Sequence, residues 1–264
     1  MNQAFNNDIS IIHLDETPST NDYLSQLCRQ ENVPEFQVVT AMSQTAGKGQ
    51  RGNSWESEKG KNLLFSLVLH PTFIEAKEQF YLSMLIAICV SELLEQYTED
   101  ICIKWPNDIY WKDNKIAGIL IENELIGKDI AQCIVGIGLN INQEAFHSSA
   151  PNPISLRQIS GKETDPDLIL QDLLNRITNY YNELKRSPKE FKQTLSDIYL
   201  DKLYRHTGYH AYQDNNGIFT ARFHHLLPDG HLCLEDEQGN VRTYAFKEVN
   251  YILSWIISTK VYYK

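Results

Sequence analysis

Three stretches of this chain carry residues suited to anion and acyl chemistry. The first is Gln44-Thr45-Ala46-Gly47-Lys48-Gly49-Gln50-Arg51-Gly52-Asn53-Ser54-Trp55. Its three glycines permit backbone conformations that turn amide N–H groups toward an anion, and Lys48 and Arg51 supply countercharge for a phosphate. Such a loop suits a nucleotide, although a mobile glycine loop with solvated charges would read the same way. The second stretch is Lys104-Trp105-Pro106-Asn107-Asp108, directly after an apolar run. A lysine at a strand's end can project into a cleft and stabilise charge developing at a phosphoryl or acyl centre, and Pro106 stops the strand. An ordinary surface lysine is the competing reading. Further on, Lys115-Ile116-Ala117-Gly118-Ile119-Leu120-Ile121-Glu122 places Ala and Gly in a strand, which leaves room for a flat ring or for tight packing. The third stretch is Gly136-Ile137-Gly138-Leu139-Asn140-Ile141-Asn142. Alternating glycines empty one strand face, and the Asn140 amide can pair with a base edge; a strand-end turn would also explain them.

Gly47-x-Gly49-x-x-Gly52 matches the dinucleotide fingerprint, but that fingerprint works only when the last glycine opens a helix. Here the chain runs through Asn53, Ser54 and Gly60 into the apolar run at Leu63, with no helical pattern. A Walker A loop is excluded because Gly49 stands where Ser or Thr is required after Lys48. The histidines His206, His210, His224, His225 and His231 read as surface residues, so no metal site is expected.

The elements that must position these stretches are legible from apolar periodicity. Short apolar runs bounded by turn residues, at 38–41, 63–69, 101–104, 116–121 and 134–139, predict sheet strands. Leu82, Leu85, Ile86, Cys89, Val90, Leu93, Leu94 and Tyr97 recur every three or four residues and predict an amphipathic helix. A second helix is expected over 19–27, capped by Ser19 or Thr20, and a third from about Asp167 carrying Leu168, Leu173, Ile177, Tyr181 and Leu184. From about Tyr204 short runs at 217–223, 231–234 and 241–246 alternate with Asp214-Asn215-Asn216-Gly217, Pro228-Asp229-Gly230 and Glu237-Gln238-Gly239-Asn240 turns. That spacing predicts a small all-β barrel. The expected fold is α+β, a mixed sheet with flanking helices over 1–203 followed by a C-terminal β-barrel domain over 204–264.

Bulk composition sets the outer limits. With 264 residues, 42% hydrophobic and 22% charged, the chain can bury a sizeable core and a small second one. A net charge of −10 repels a phosphate backbone unless cations are gathered locally, so nucleic acid is a poor partner. No apolar run reaches the roughly 20 residues of a membrane span, and the start lacks the pattern of a signal peptide. The five cysteines are scattered without a C-x-x-C pair. A cytoplasmic protein with reduced thiols is expected.

Taken together, the Ser19-Thr20-Asn21 turn, the glycine loop, Lys104-Trp105-Pro106-Asn107-Asp108 and Gly136-Ile137-Gly138-Leu139-Asn140-Ile141-Asn142 resemble the bacterial biotin–protein ligases of the BirA type. The likeness extends to Phe246-Lys247-Glu248-Val249, where that family carries an SH3-like domain. It implies an enzyme that forms biotinyl-AMP from biotin and ATP with Mg²⁺, then passes biotin to a lysine of a biotin carboxyl carrier protein. A lipoate–protein ligase, with the same chemistry, is the alternative; a nicotinamide-dependent oxidoreductase and a non-enzymatic binding module are rivals of other classes. By resemblance, Ser19, Thr20, Asn21, Gln44, Lys48, Gly49, Gln50, Lys104, Gly118 and Ile119 contact biotin. Gly47, Arg51, Trp55, Asn107, Lys115 and Asn140 fall to ATP, and Lys104, Arg51 and Lys48 act on the reacting anions. Asp108 is a candidate for orienting or accepting the acceptor lysine's proton, with turn capping as the rival role. The family's loop commonly reads Gly-Arg-Gly-Arg-Arg-Gly-Arg; here Lys48, Gln50 and Asn53 replace three arginines, which bears on retention of the intermediate. Some relatives carry a DNA-binding domain before the Ser-Thr-Asn turn. The short stretch before Ser19 leads to the expectation of no DNA binding, and a homodimer is one open assembly.

Overall fold

The apolar runs pair into two sheets in a computed structural model of the chain, which describes residues 9–148, 150 and 152–253. In chain order the elements are β1 (Ile11–Thr17), α1 (Thr20–Gln30), β2 (Val38–Gln44), β3 (Leu63–Leu69), α2 (Phe80–Leu94), β4 (Ile101–Lys104), β5 (Asp108–Trp111), β6 (Asn114–Ile126) and β7 (Asp129–Leu139). There follow α3 (Leu156–Ser160), α4 (Pro166–Arg186), α5 (Pro188–Asp201), β8 (His210–Asp214), β9 (Gly217–Leu226), β10 (Leu232–Asp236), β11 (Val241–Tyr244) and β12 (Asn250–Tyr251). The first sheet has the order β1-β2-β3-β7-β6-β5-β4. Only its β1–β2 pair is parallel, so the sheet is mixed and the fold is α+β.

Both faces of the sheet are covered, which is why β3 is buried at every position. Leu63, Phe65, Leu67 and Leu69 of β3, with Cys133, Val135, Ile137 and Leu139 of β7, share one core with α2, α4 and α5. On the opposite face Val39, Val68 and Ile134 pack with Leu24 of α1 and Val33. Helix α1 begins where Ser19 accepts a hydrogen bond from the Asp22 amide, as a capping serine should. Helix α4 starts at Pro166 after the Asp165 cap, and its Leu173, Ile177, Tyr181 and Leu184 are buried at helical spacing. Two members of the expected stripes are misplaced. Leu168 is 61% exposed because Ile169 and Leu170 take the inward positions, and Tyr97 lies beyond the end of α2.

The second sheet is antiparallel with the order β11-β10-β9-β8-β12. The expected barrel is not closed among the described residues: β11 and β12 form the two ends of the sheet. Nor does this sheet have a separate core. Tyr212, Leu232, Leu234, Tyr244 and Val249 join the main one. Trp105 donates from Nε1 to the Gly230 carbonyl at 2.9 Å and meets the Phe246 ring edge-on at 6.0 Å, so the Lys104–Asp108 turn is clamped by the second sheet. The end of the expected C-terminal domain, beyond residue 253, lies outside the described residues. Among those described, no helix is long and apolar enough to cross a membrane.

Candidate functional site

A cavity of about 640 Å³ opens on the α1 face of the first sheet, and the register explains its layout. Lys104 pairs with Asp108, Asp108 with Gly118, and Gly118 with Gly138, so these four form one row across four strands. Directly opposed residues point to the same face. Along β7 the same face carries Gly136, Gly138 and then Asn140, because side chains alternate with period two. The cavity therefore runs lengthwise from Gly136 to Asn140, with the Lys104 row crossing it midway.

At the Gly136 end stand Thr20 and Asn21 from the first turn of α1. A methyl group at 136 would sit 2.1 Å from Asn21 Oδ1, so only glycine admits that amide. Gln44 Oε1 accepts from the Thr20 amide at 2.8 Å. Ser66, fully buried on β3, touches both Thr20 Oγ1 and Asn21 Oδ1, and Asn21 donates from Nδ2 to Glu122 at 2.7 Å.

From that middle row toward Asn140 the Trp55 indole lies on a floor made by Gly118 and Gly138. A methyl at 138 would come within 2.4 Å of the ring, and one at 118 within 2.8 Å. Lys115 stands 5.6 Å from the indole centroid and pairs with Asp108 at 2.6 Å. Two polar atoms here are buried with no hydrogen-bond partner among the described residues, Trp55 Nε1 and Asn140 Oδ1. Buried polar groups are normally satisfied, so a pair left open in one cavity points to a polar ligand. The second amide atom of Asn140 is already used, donating to the Ile154 carbonyl at 3.1 Å. The remaining oxygen can only accept, as the exocyclic amine of a base would require.

Between the two ends, Lys104 Nζ lies 4.9 Å from the Tyr110 ring centroid and 5.1 Å from that of Tyr251. Burial holds its pKa below the ordinary lysine value; Asp108 pulls it up and Arg205 pushes it down further. It forms no ion pair among the described residues. A desolvated cation whose neighbours are aromatic faces is an incomplete charge pair that a ligand anion would complete.

The glycine loop closes the cavity as a short hairpin. Trp55 N–H donates to the Gly47 carbonyl at 2.8 Å, Gly49 N–H to Asn53 at 2.6 Å, and residues Gln50–Gly52 form a single 3-10 turn. No α-helix follows before β3, in agreement with the rejection of the dinucleotide fingerprint. Glu56 anchors the loop's exit by accepting from the His147 and Ser148 amides at 2.8 and 2.7 Å. Burial raises the Glu56 pKa, but the bonds from Ser148 and His147 outweigh it and the net shift is downward.

Of the residues expected at the site, Ser19, Thr20, Asn21, Gln44, Lys48, Gly49, Gln50, Trp55, Lys104, Asn107, Lys115, Gly118, Ile119 and Asn140 line this cavity. Gly47 lies just behind it, holding Trp55. The side chain of Arg51 lies outside what is described, although Gln50 and Gly52 on either side face the cavity with Lys104. Four roles are revised. The Lys48 ammonium is bound to Asp22 at 2.5 Å on the rim, with its side chain 46% exposed. The Gly49 amide is used inside the hairpin. Asn107 is buried and donates to the Ile119 carbonyl, tying the Lys104–Asp108 turn to β6. Asp108 is engaged by Lys115 at 2.6 Å, so its carboxylate has a partner already and is not free to face an incoming lysine. The sequence reading missed Ser66, Glu122, Tyr110 and Tyr251, because single Ser, Glu and Tyr residues in strands carry no spacing signal.

A mixed α+β sheet with a lysine row between an amide-rich end and an open-acceptor end defines a ligase-type site for two ligands. The profile of the biotin/lipoate A/B protein ligase family matches residues 14–140. The chain is 30% identical over 241 residues to the bifunctional ligase/repressor BirA of Bacillus spizizenii, covering 89% of this chain and 72% of that protein. It is 33% identical over 142 residues to the biotin–[acetyl-CoA-carboxylase] ligase of Paracoccus denitrificans, covering 52% of this chain and 58% of that one. Among solved structures, the biotin protein ligase of Aquifex aeolicus in complex with biotin and ATP superposes with a TM-score of 0.74 at 29% identity, over 93% of this chain and 99% of that chain. The chain belongs to the biotin protein ligases.

Proposed function

We propose that this chain joins biotin to ATP, giving biotinyl-AMP and pyrophosphate, and then transfers biotin to a lysine of a biotin carboxyl carrier protein. The observation that carries this reading is the row Lys104–Asp108–Gly118–Gly138, which brings Lys104, a desolvated cation without an ion pair among the described residues, to the cavity between its Thr20–Asn21 end and its Asn140 end. Biotin's ring fits the Thr20–Asn21–Gln44 end, and adenine the side of the Trp55 indole turned away from the Gly118–Gly138 floor, with its amine toward Asn140. The biotin carboxylate and the α-phosphate then meet beside Lys104.

In the first step a carboxylate oxygen attacks the α-phosphorus and the bond to the β-phosphate oxygen breaks, expelling pyrophosphate. Two anions must approach closely, and a preorganised cation in a dry site lowers that barrier more than it would in water. Lys48 and Arg51 supply further positive charge from the loop, Lys48 by exchanging Asp22 for phosphate. Mg²⁺ accompanying the nucleotide would neutralise triphosphate charge; of the lining carboxylates that could hold it, Glu56 accepts from the His147 and Ser148 amides and Asp108 pairs with Lys115. In the second step the carrier's lysine, as the free amine, attacks the acyl carbon and the bond to the phosphate oxygen breaks, releasing AMP.

We put the domain boundary at 203/204 and read the second sheet as an SH3-like unit; the lining of the cavity by Phe246 and Asn250 supports a part for it in the site. Five free thiols, three of them buried, support a reducing cytoplasmic setting. The relatives whose names state an acid state biotin, which disfavours the lipoate alternative. Exchange of labelled pyrophosphate into ATP tests the proposal. Exchange that depends on biotin supports it, and exchange driven by lipoate or by no added acid would overturn it.

A further inference from the structure

The polar wall at the Gly136 end contains two groups with no assigned role, Ser66 and Glu122, and hydrogen counting shows what they do. Ser66 has one hydroxyl hydrogen but two short oxygen contacts, 2.7 Å to Thr20 Oγ1 and 2.6 Å to Asn21 Oδ1. Which contact it donates to is decided one step further on. The Glu122 carboxylate can only accept, so the Asn21 amide must turn its nitrogen toward it, at 2.7 Å, with the Leu120 carbonyl as a second acceptor at 3.4 Å. Asn21 Oδ1 therefore faces Ser66 and must accept, and the Ser66 hydrogen goes to Asn21. The Thr20–Ser66 contact then needs the Thr20 hydrogen. Gln44 Oε1 accepts the Thr20 amide at 2.8 Å and lies 3.1 Å from the Thr20 hydroxyl, farther than Ser66 at 2.7 Å, so it is the secondary acceptor for that hydrogen. With its hydrogen committed, the Thr20 hydroxyl has only lone pairs to offer the cavity.

We infer that Ser66 and Glu122 are positioning residues that fix the direction of this buried chain of hydrogen bonds, making Thr20 an obligatory acceptor that selects a ligand N–H. The inference rests on the proposed biotin reading, in which the N–H is one of the two on the cyclic urea. The Gly136 backbone belongs to the same device, since any side chain there would displace the Asn21 amide. A wall built to accept a hydrogen bond repels an oxygen placed at the same point, lone pair against lone pair. The preference is therefore set by residues that never touch the ligand.

The test compares biotin with its two cyclic carbamate analogues, in which one or the other urea nitrogen is replaced by oxygen. The readout is kcat/KM in pyrophosphate exchange for the wild-type chain, Ser66→Ala and Glu122→Gln, with melting curves to confirm that each variant is folded. The wild-type chain should reject at least one analogue by about 10- to 100-fold, the penalty for an unmet buried acceptor. Ser66→Ala leaves the Thr20 hydrogen only the longer contact to Gln44 Oε1, at 3.1 Å, from which a ligand oxygen can draw it, and Glu122→Gln lets the Asn21 amide turn over. In both, the discrimination should fall to less than about fivefold. A purely structural role would weaken biotin and analogue alike and leave the ratio as it was, so a wild-type ratio in either folded variant overturns the inference. Absence of any biotin-dependent exchange in the wild-type chain would instead overturn the underlying functional reading.

Discussion

Replacing Gly138 with alanine tests whether the glycine floor is there for a ligand. The added methyl would stand 2.4 Å from Trp55 Cε2 and 2.6 Å from Nε1, whereas ordinary carbon contacts lie at about 3.5–4.0 Å. The indole must therefore withdraw by about 1 Å or more, and no hydrogen bond of its Nε1 restrains it among the described residues. Gly138 sits in a regular strand without positive φ, so alanine is compatible with the backbone there. The loss of unfolded-chain entropy should even favour the variant by about 0.4–1 kcal/mol, roughly offsetting the lost ring contacts. Stability should thus change little while nucleotide binding suffers. Displacing a base by about 1 Å from its productive position costs on the order of 10²-fold, so the KM for ATP in pyrophosphate exchange should rise by about that factor. Biotin affinity, measured without nucleotide, should change far less, because its end of the cavity is built on Gly136 and Asn21. Equal losses for both ligands would mean that the sheet itself had been distorted. An unchanged KM for ATP would show that the floor under Trp55 is not on the nucleotide's path.

Three further outcomes follow from the geometry. Lys104 must be protonated to stabilise the meeting anions, and its pKa is lowered by burial, so adenylation should fall as pH rises through that lowered value, below the usual 10.5; Lys104→Arg should move this alkaline limb upward in a pH–rate profile. Glu56 has a lowered pKa, so its contribution to stability is complete above the ordinary value of 4.5 and is lost as pH falls through the folded-state value. Melting temperatures followed as pH falls from neutral to well below 4.5 should therefore approach those of Glu56→Gln, and a gap that never narrows would contradict the anchoring role. Lys247 donates from the second sheet to the Gln50 carbonyl at 3.0 Å, so Lys247→Ala should speed proteolytic cleavage within residues 47–55, and an unaltered cleavage rate would show that this contact does not restrain the loop.

How far the sequence reveals this site depends on whether a residue's role leaves a local trace. The strands at 63–69 and 134–139 are continuous apolar runs because both faces of the sheet are covered, and they were readable for that reason. Strand β1, with an Ile-Ile-His-Leu-Asp-Glu-Thr edge that is largely exposed, offers no such run. Helix α5 follows α4 after a single residue, Ser187, and Pro188 conceals the second start. At the site, glycines and the lysine after a strand announce themselves, whereas partners do not. Lys48 reads as a free cation, but Asp22 in the first turn of α1 binds it. Asp108 reads as a candidate base until Lys115, on the neighbouring strand, is seen beside it. Ser66 and Glu122 lie on strands far apart in sequence, and only the register brings both to the Asn21 amide.

The meeting of carboxylate and α-phosphate beside Lys104 is tested most directly by trapping the intermediate. Protein mixed with biotin and Mg²⁺-ATP, without any carrier, is quenched in acid and analysed for biotinyl-AMP by mass spectrometry as a function of time. The wild-type chain should accumulate about one equivalent per site, and Lys104→Met should form it slower by about 10²–10³-fold, as expected for loss of one preorganised charge. Formation at the wild-type rate in that variant would contradict the central role of Lys104, and the absence of biotinyl-AMP in the wild-type chain would contradict the chemistry itself.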